Sequence, residues 1–362
     1  MVVPPVEKPP IEKPVPPVEE VVPPVEKPIP PVEEVIPPVE EVVPPIEIAA
    51  PFHFFAAASF WNQPLPASAP LDPMSAAVMG AFNRLIANES PKNELNINTT
   101  AWSVPIYTVP AGQPTVKVLV NKPNSSGYAI QAAWASVPLP PGAQPAKGTD
   151  KTLTVWQPST DKLWEFWNFE TTANGPVAKW GGAMEKVSAS PGYYSSLSWP
   201  GSKPQWGSSA SSLAIVGGLI TLEDLERGSI DHALAIAIPN PRAGVFASPA
   251  QRTDGSSLEP TSLPEGAHMR LDPNLDLSTL HLPHLVQMMA EAAQRYGIVV
   301  RDRSANVTFY AQDPTPTGTN PYLGAHGYYE GHCQCKLLTS FPWSHLQLLK
   351  MELHSMEAHV GG

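Results

Sequence analysis

Cysteine is almost absent from these 362 residues: Cys333 and Cys335 are the only two, one residue apart. A disulfide framework is therefore excluded, and a bridge between so close a pair would be strained. No apolar run is long enough to span a membrane. Met1-Val2-Val3-Pro4 offers neither a charged n-region nor an apolar h-region, so no signal peptide is visible. Positive charge is scarce. Lys plus Arg number 22 against 33 Asp plus Glu, a net charge of −11, which argues against a nucleic-acid partner. No Gly-rich phosphate loop follows a strand pattern and no Gly-X-Ser-X-Gly elbow occurs, so dinucleotide enzymes and α/β-hydrolases are disfavoured. Ten histidines are present, but neither His326, His332, Cys333 and Cys335 nor His281 and His284 match a spaced zinc signature. No metal and no cofactor is expected.

Proline, by contrast, is abundant at one end. A Pro-Pro-Val/Ile-Glu-Glu/Lys unit starts at Pro4, Pro9, Pro16, Pro23, Pro30, Pro37 and Pro44. Two prolines per unit remove backbone donors and clash inside a helix, which rules out a coiled-coil heptad. Residues 1–50 read as a polyproline II stalk, stiffened by fixed φ angles and glutamate repulsion. Fully extended, it would reach roughly 145 Å. The stalk carries ten Glu and three Lys, which leaves a charge of about −4 for the rest. Residues 51–352 read as one globular β domain, and 353–362 as a flexible tail. Export is the expected destination, with the signal already removed.

The fold class read from the pattern is mainly β: a large β-sandwich or jelly roll with a few peripheral helices. Apolar residues at helical spacing predict a helix from Asp72-Pro73 to about Asn88 and another over Leu285–Tyr296. Thr221 reads as the cap of a short helix ending near Arg227. Strand patterns cover 104–109, 116–120, 153–156, 163–167, 232–238, 298–300 and 307–310, separated by Pro, Gly, Ser and Asn clusters.

Five residues are candidate catalytic groups. Glu165 alternates onto the face of Leu163 and Trp167, where aromatic neighbours would raise its pKa; the plainer reading pairs it with Arg242, Arg252 or Arg270. Asp231 and His232 open an apolar strand behind a polar turn, where a histidine titrates near neutrality; the plainer reading is a histidine bonded to a loop carbonyl. Arg252 and Asp254 lie in the loop after Gly244-Val245-Phe246 and offer a fork of donors and a carboxylate; the plainer reading is a turn at Asp254-Gly255. Glu165 and His232 are expected to meet in one cleft, across neighbouring strands of one sheet face. Trp180, Trp199, Trp206, Tyr193 and Tyr194 fall in Gly/Ser/Pro-rich loops, where indoles and phenols stack on sugar rings.

Several segments resemble a group of exported, mostly actinobacterial proteins: SFWNQPLP (59–66), LTVWQPSTDKLWEFW (153–167), GSIDHALAIAIP (228–239), GVFASPAQRTDG (244–255), LPEGAHMRLDP (263–273), AEAAQRYGIVVRD (290–302) and FPWSHLQLLKM (341–351). The resemblance implies secretion and a jelly-roll-like β domain, and no particular activity. A broader pattern has His before a Tyr-Glu-Leu-Tyr-like strand; this chain has Thr152 there, which weakens a two-histidine site. The function expected is an exported carbohydrate-active protein that binds a polysaccharide and cleaves it by hydrolysis or elimination. The alternative is a non-catalytic cell-wall or surface-displayed binding module.

Overall fold

The computed structural model describes residues 52–121 and 125–356, with the side chains of 125–128 left aside. The stalk lies outside the described residues. The described residues are mainly β, as expected: sixteen short strands among them lie in mixed sheets, with few helices. A six-stranded sheet runs, edge to edge, through Asn96–Asn98, Thr308–Tyr310, Leu234–Ile238, Ile298–Arg303, His268–Leu271 and Leu346–Leu348. A five-stranded sheet runs through Gln312–Asp313, Val104–Thr108, Leu153–Gln157, Lys162–Trp167 and Trp180–Glu185. Pairing is mixed. Leu234–Ile238 lies parallel to Ile298–Arg303, and Val104–Thr108 parallel to Leu153–Gln157, while Lys162–Trp167 is antiparallel to both of its neighbours.

The segment Leu-Ala-Ile-Ala-Ile explains the layering. Side chains alternate across a strand, so Leu234, Ile236 and Ile238 point one way and Ala235 and Ala237 the other. The large residues join Ile298 and Val300 in a core with Val78, Met79 and Phe82 of the helix Ser75–Glu89 and Leu285 and Met289 of the helix His284–Arg295. Each such buried side chain stabilises the fold by about 1.5–3 kcal/mol. The alanines join Val299 and Tyr310 in a second core with Val104, Val155 and Leu163 of the five-stranded sheet. Small residues on this face let the two sheets share one apolar interior.

Local signals hold with shifted bounds. Thr221 caps Leu222–Arg227 in a capping box with Asp224. The first long helix starts at Ser75, not at Pro73, and Asp72 instead accepts from the Met74 amide at 2.8 Å. Of the 116–120 pattern, only Leu119–Val120 is a strand, because Val116 bridges Val137 instead. The expected tail at 353 is corrected in part: Leu353–Ser355 pairs with Val245–Ala247. Cys333 and Cys335 form a disulfide, Cα atoms 5.3 Å apart. Among the described residues, no helix is long and apolar enough to cross a membrane.

Candidate functional site

The strand Ile298–Arg303 carries the decisive irregularity. Its register against Leu234–Ile238 runs evenly to Val300 opposite Ile236, then jumps so that Asp302 faces Ala237. Plain alternation would send Asp302 toward the helices with Val300. The bulge turns it to the alanine face, the same face as Arg301, and bulges commonly re-aim side chains in this way. Arg301 is fully buried. Its guanidinium lies 4.1 Å from the Tyr310 ring and donates to the carbonyls of Ile215 and Gly217.

These residues border a cavity of about 380 Å³. Its walls include Asp150 and Thr152 before one strand, Trp167 and Trp180 from two others, and Ser208 to Ala210 from the long loop. Trp102, Arg252, Asp254, Arg301, Asp302, Arg303 and Tyr310 also line it. Asp302 accepts from the Arg303 amide at 2.9 Å and the Ala210 amide at 3.3 Å. Burial pushes its carboxyl up to about 7, against the pull of the Arg301 charge. Behind the wall, Glu265 is fully buried and accepts from the Asp254 amide at 3.1 Å. Burial, then the Asp302 charge, pushes it up to about 8. Burial also raises Asp150, opposed by a hydrogen bond from Trp167. Arg252 donates to the carbonyls of Ser209 at 2.7 Å and Gly207 at 3.3 Å. Burial lowers its pKa, countered by Asp302, Glu265, Asp254 and Glu165. Carboxyls held near neutrality in a polar cleft can give or take a proton at physiological pH.

Glu165 does not line this cavity. It is fully buried and accepts from the Ser208 amide at 2.5 Å and the Ile215 amide at 2.9 Å. Burial raises its pKa, as read from the sequence, against the two amides, Tyr194 and Arg301. The Arg301 charge acts on it weakly, and among the described residues its hydrogen-bond partners are backbone amides, not the guanidinium of Arg242, Arg252 or Arg270. Both ends of its carboxylate hold the loop that forms part of the cleft wall.

His232 and Asp231 stand elsewhere, and the expected meeting of Glu165 and His232 is overturned. Glu165 belongs to the five-stranded sheet, whereas His232 precedes a strand of the six-stranded one. His232 is bonded to the Asp224 carboxylate through Nε2 at 3.0 Å and to the Ala233 carbonyl through Nδ1 at 2.9 Å. Burial opposes the charged ring, but Asp224 outweighs it and raises the pKa. Burial likewise opposes the Asp224 charge, yet His232 and the Thr221 donors bring it down to about 2. Asp231 pairs with Arg227 at 3.4 Å and Arg295 at 3.9 Å. Every polar end of this cluster is occupied by its neighbours.

The aromatic expectations divide. Trp180 lines the cleft, its indole donating to the Gln205 carbonyl at 3.2 Å. Trp199 is half-buried, with the Lys162 ammonium 4.9 Å from its ring. Tyr193 is half-buried and bridges Leu213. Trp206 and Tyr194 are fully buried and cannot be surface platforms. The loop that looked exposed folds into the second core, and the Tyr194 ring packs where a side chain at Gly182 would sit, within 2.6 Å.

The residues the sequence pattern did not mark are Asp302, Glu265, Asp150, Arg301 and Trp102. Arg301 and Asp302 close the segment AEAAQRYGIVVRD, and their charge at the end of an apolar strand was the signal that could have found them. Among the described residues, no group of three or more His, Cys, Asp or Glu is placed to hold a metal ion. Comparison with family models, with curated proteins and with solved structures finds no match to this chain.

Proposed function

We propose that this is an exported carbohydrate-active protein, of the actinobacterial-type group it resembles, that binds and hydrolyses a polysaccharide in the Asp302 cleft. The observation that carries the reading is a half-buried carboxyl poised near pH 7 in a cleft that also holds further carboxylates and aromatic side chains. In hydrolysis, Asp302 serves as general acid, and Asp150 or Asp254 as the second carboxylate. Asp254 and Trp180 keep the site roles read from the sequence, while Arg252 lines the cleft with its guanidinium bonded to the Ser209 and Gly207 carbonyls. Glu165 becomes a positioning residue through the loop it holds, and His232 and Asp231 leave the site. Elimination is less favoured because the guanidiniums of Arg252 and Arg301 already donate to backbone carbonyls, which reduces their use as a clamp on a uronate. The β-sandwich or jelly-roll description and display on a polyproline stalk belong to this proposal.

A polysaccharide panel tests it, scored for new reducing ends and for absorbance of unsaturated products. The expected result is new reducing ends from at least one polymer. Binding without products would return the surface-displayed binding module, and neither binding nor products would refute the carbohydrate reading.

A further inference from the structure

A second cavity, about 540 Å³, adjoins the cleft and shares Trp102, Asp150, Arg303 and Tyr310 with it. Its size lies within the range of small-molecule sites. Its chemistry differs from that of the cleft. Apart from the shared Asp150 and Arg303, its lining carries no charged side chain among the described residues. Asn96, Asn98, Thr100, Thr149, Asn306 and Gln334 supply amides and hydroxyls instead. Such groups bind hydroxyls well and give an ionised ligand no counter-charge.

Trp102 stands on the shared wall with 46% of its surface exposed, and its backbone is left-handed at φ 51°. An indole in that region is uncommon and is held by its surroundings. Its indole donates to Thr149 at 3.1 Å, its amide to Lys147 at 2.8 Å, and its carbonyl accepts from Asn98 at 3.1 Å. Gly148 makes the packing possible: a Cβ there would come within 2.7 Å of the ring. Four separate contacts thus fix an aromatic face in solvent between two cavities.

We infer that the second cavity is a subsite for an uncharged sugar unit of the chain that occupies the cleft, with Trp102 as its stacking platform. The inference rests on the carbohydrate reading and adds to it a neutral polymer threaded across both cavities. Stacking on the indole satisfies the apolar face of a pyranose, while the amides bind its rim hydroxyls.

Affinity electrophoresis in xylan, mixed-linkage glucan, mannan, alginate and polygalacturonate tests this with the full chain. Wild type is expected to be retarded by a neutral polymer. Trp102→Gly, which suits the left-handed backbone, should weaken that retardation about tenfold or more, with an unchanged melting temperature. Asn306→Ala should weaken it severalfold. Wild-type affinity in both variants would overturn the subsite while leaving the carbohydrate reading intact, and so would retardation by the charged polymers alone. No retardation of wild type by any polymer, with no products from any, would remove the carbohydrate reading and the subsite together.

Discussion

Two buried acid clusters in this protein have opposite electrostatics. Around Asp224, a histidine, an arginine and a capping threonine surround the carboxylate, and its pKa falls to about 2. Around Asp302, burial dominates, a second buried acid stands nearby, and the pKa rises to about 7. Burial acts on both in the same direction; the neighbours decide the outcome. The first arrangement ties a short helix to the start of a strand and keeps its carboxylate ionised far below neutrality. The second keeps its proton available and stands open to a cavity. Both clusters contain a group that sequence patterning marks as unusual, and only the second borders the cleft of about 380 Å³.

The largest expected effect separates the two in activity. Asp302→Asn should lower turnover of a cleaved polysaccharide by about 10²–10⁴-fold, the usual worth of a general acid. His232→Ala should leave turnover within a few-fold. Comparable losses in both would break the distinction.

Stability should respond the other way. Removing His232 leaves the buried Asp224 charge with Arg227 as its remaining cation beside the Thr221 donors, and breaking such a pair costs roughly 3 kcal/mol. Denaturant unfolding at neutral pH would read this directly. An unchanged midpoint would mean the pair is not structural. Glu165→Gln should cost about 1–3 kcal/mol, because the amide cannot accept equally at both ends from Ser208 and Ile215.

The pH dependences should also diverge. The pKa of Asp302 is raised, so the stability associated with its protonated form is complete below the unfolded value near 4 and is lost as pH rises through about 7. Asp302→Asn should therefore flatten the fall in stability between those values. The pair has the reverse sign on its acid side. Stability from Asp224 is present above its unfolded value near 4 and lost as pH falls through about 2. The His232 contribution is complete below about 6.5 and lost as pH rises through its raised pKa. The smallest effect belongs to the cysteines. Replacing Cys333 and Cys335 by Ser should cost less than about 1 kcal/mol, since the bridge closes a very short loop.

Much of the scaffold was legible in the sequence. The alternation at 234–238, the amphipathic run at 285–296 and the Thr221 cap are local patterns with local causes, and they predicted mainly β architecture and the helices. The burial of Glu165 and its raised pKa were legible too, because it sits in an apolar strand, although the groups that hold its carboxylate, Ser208, Ile215 and Tyr194, come from a distant loop. The cleft was legible only in part. Arg252, Asp254 and Trp180 were identified, but Asp302 depends on a bulge that no residue pattern announces. Glu265 depends on burial supplied by distant segments. Trp206 and Tyr194 sit in a loop of polar composition whose aromatics fold inward. Trp102 was missed because its exposure comes from a single left-handed residue backed by Gly148.

The most direct measurement is a carboxyl-carbon NMR titration, with Asp302→Asn and Asp224→Asn used to assign the two resonances. The account predicts a transition near pH 7 for Asp302 and an Asp224 that stays ionised until about pH 2. An Asp302 that titrates near pH 4 with the ordinary surface aspartates would contradict it.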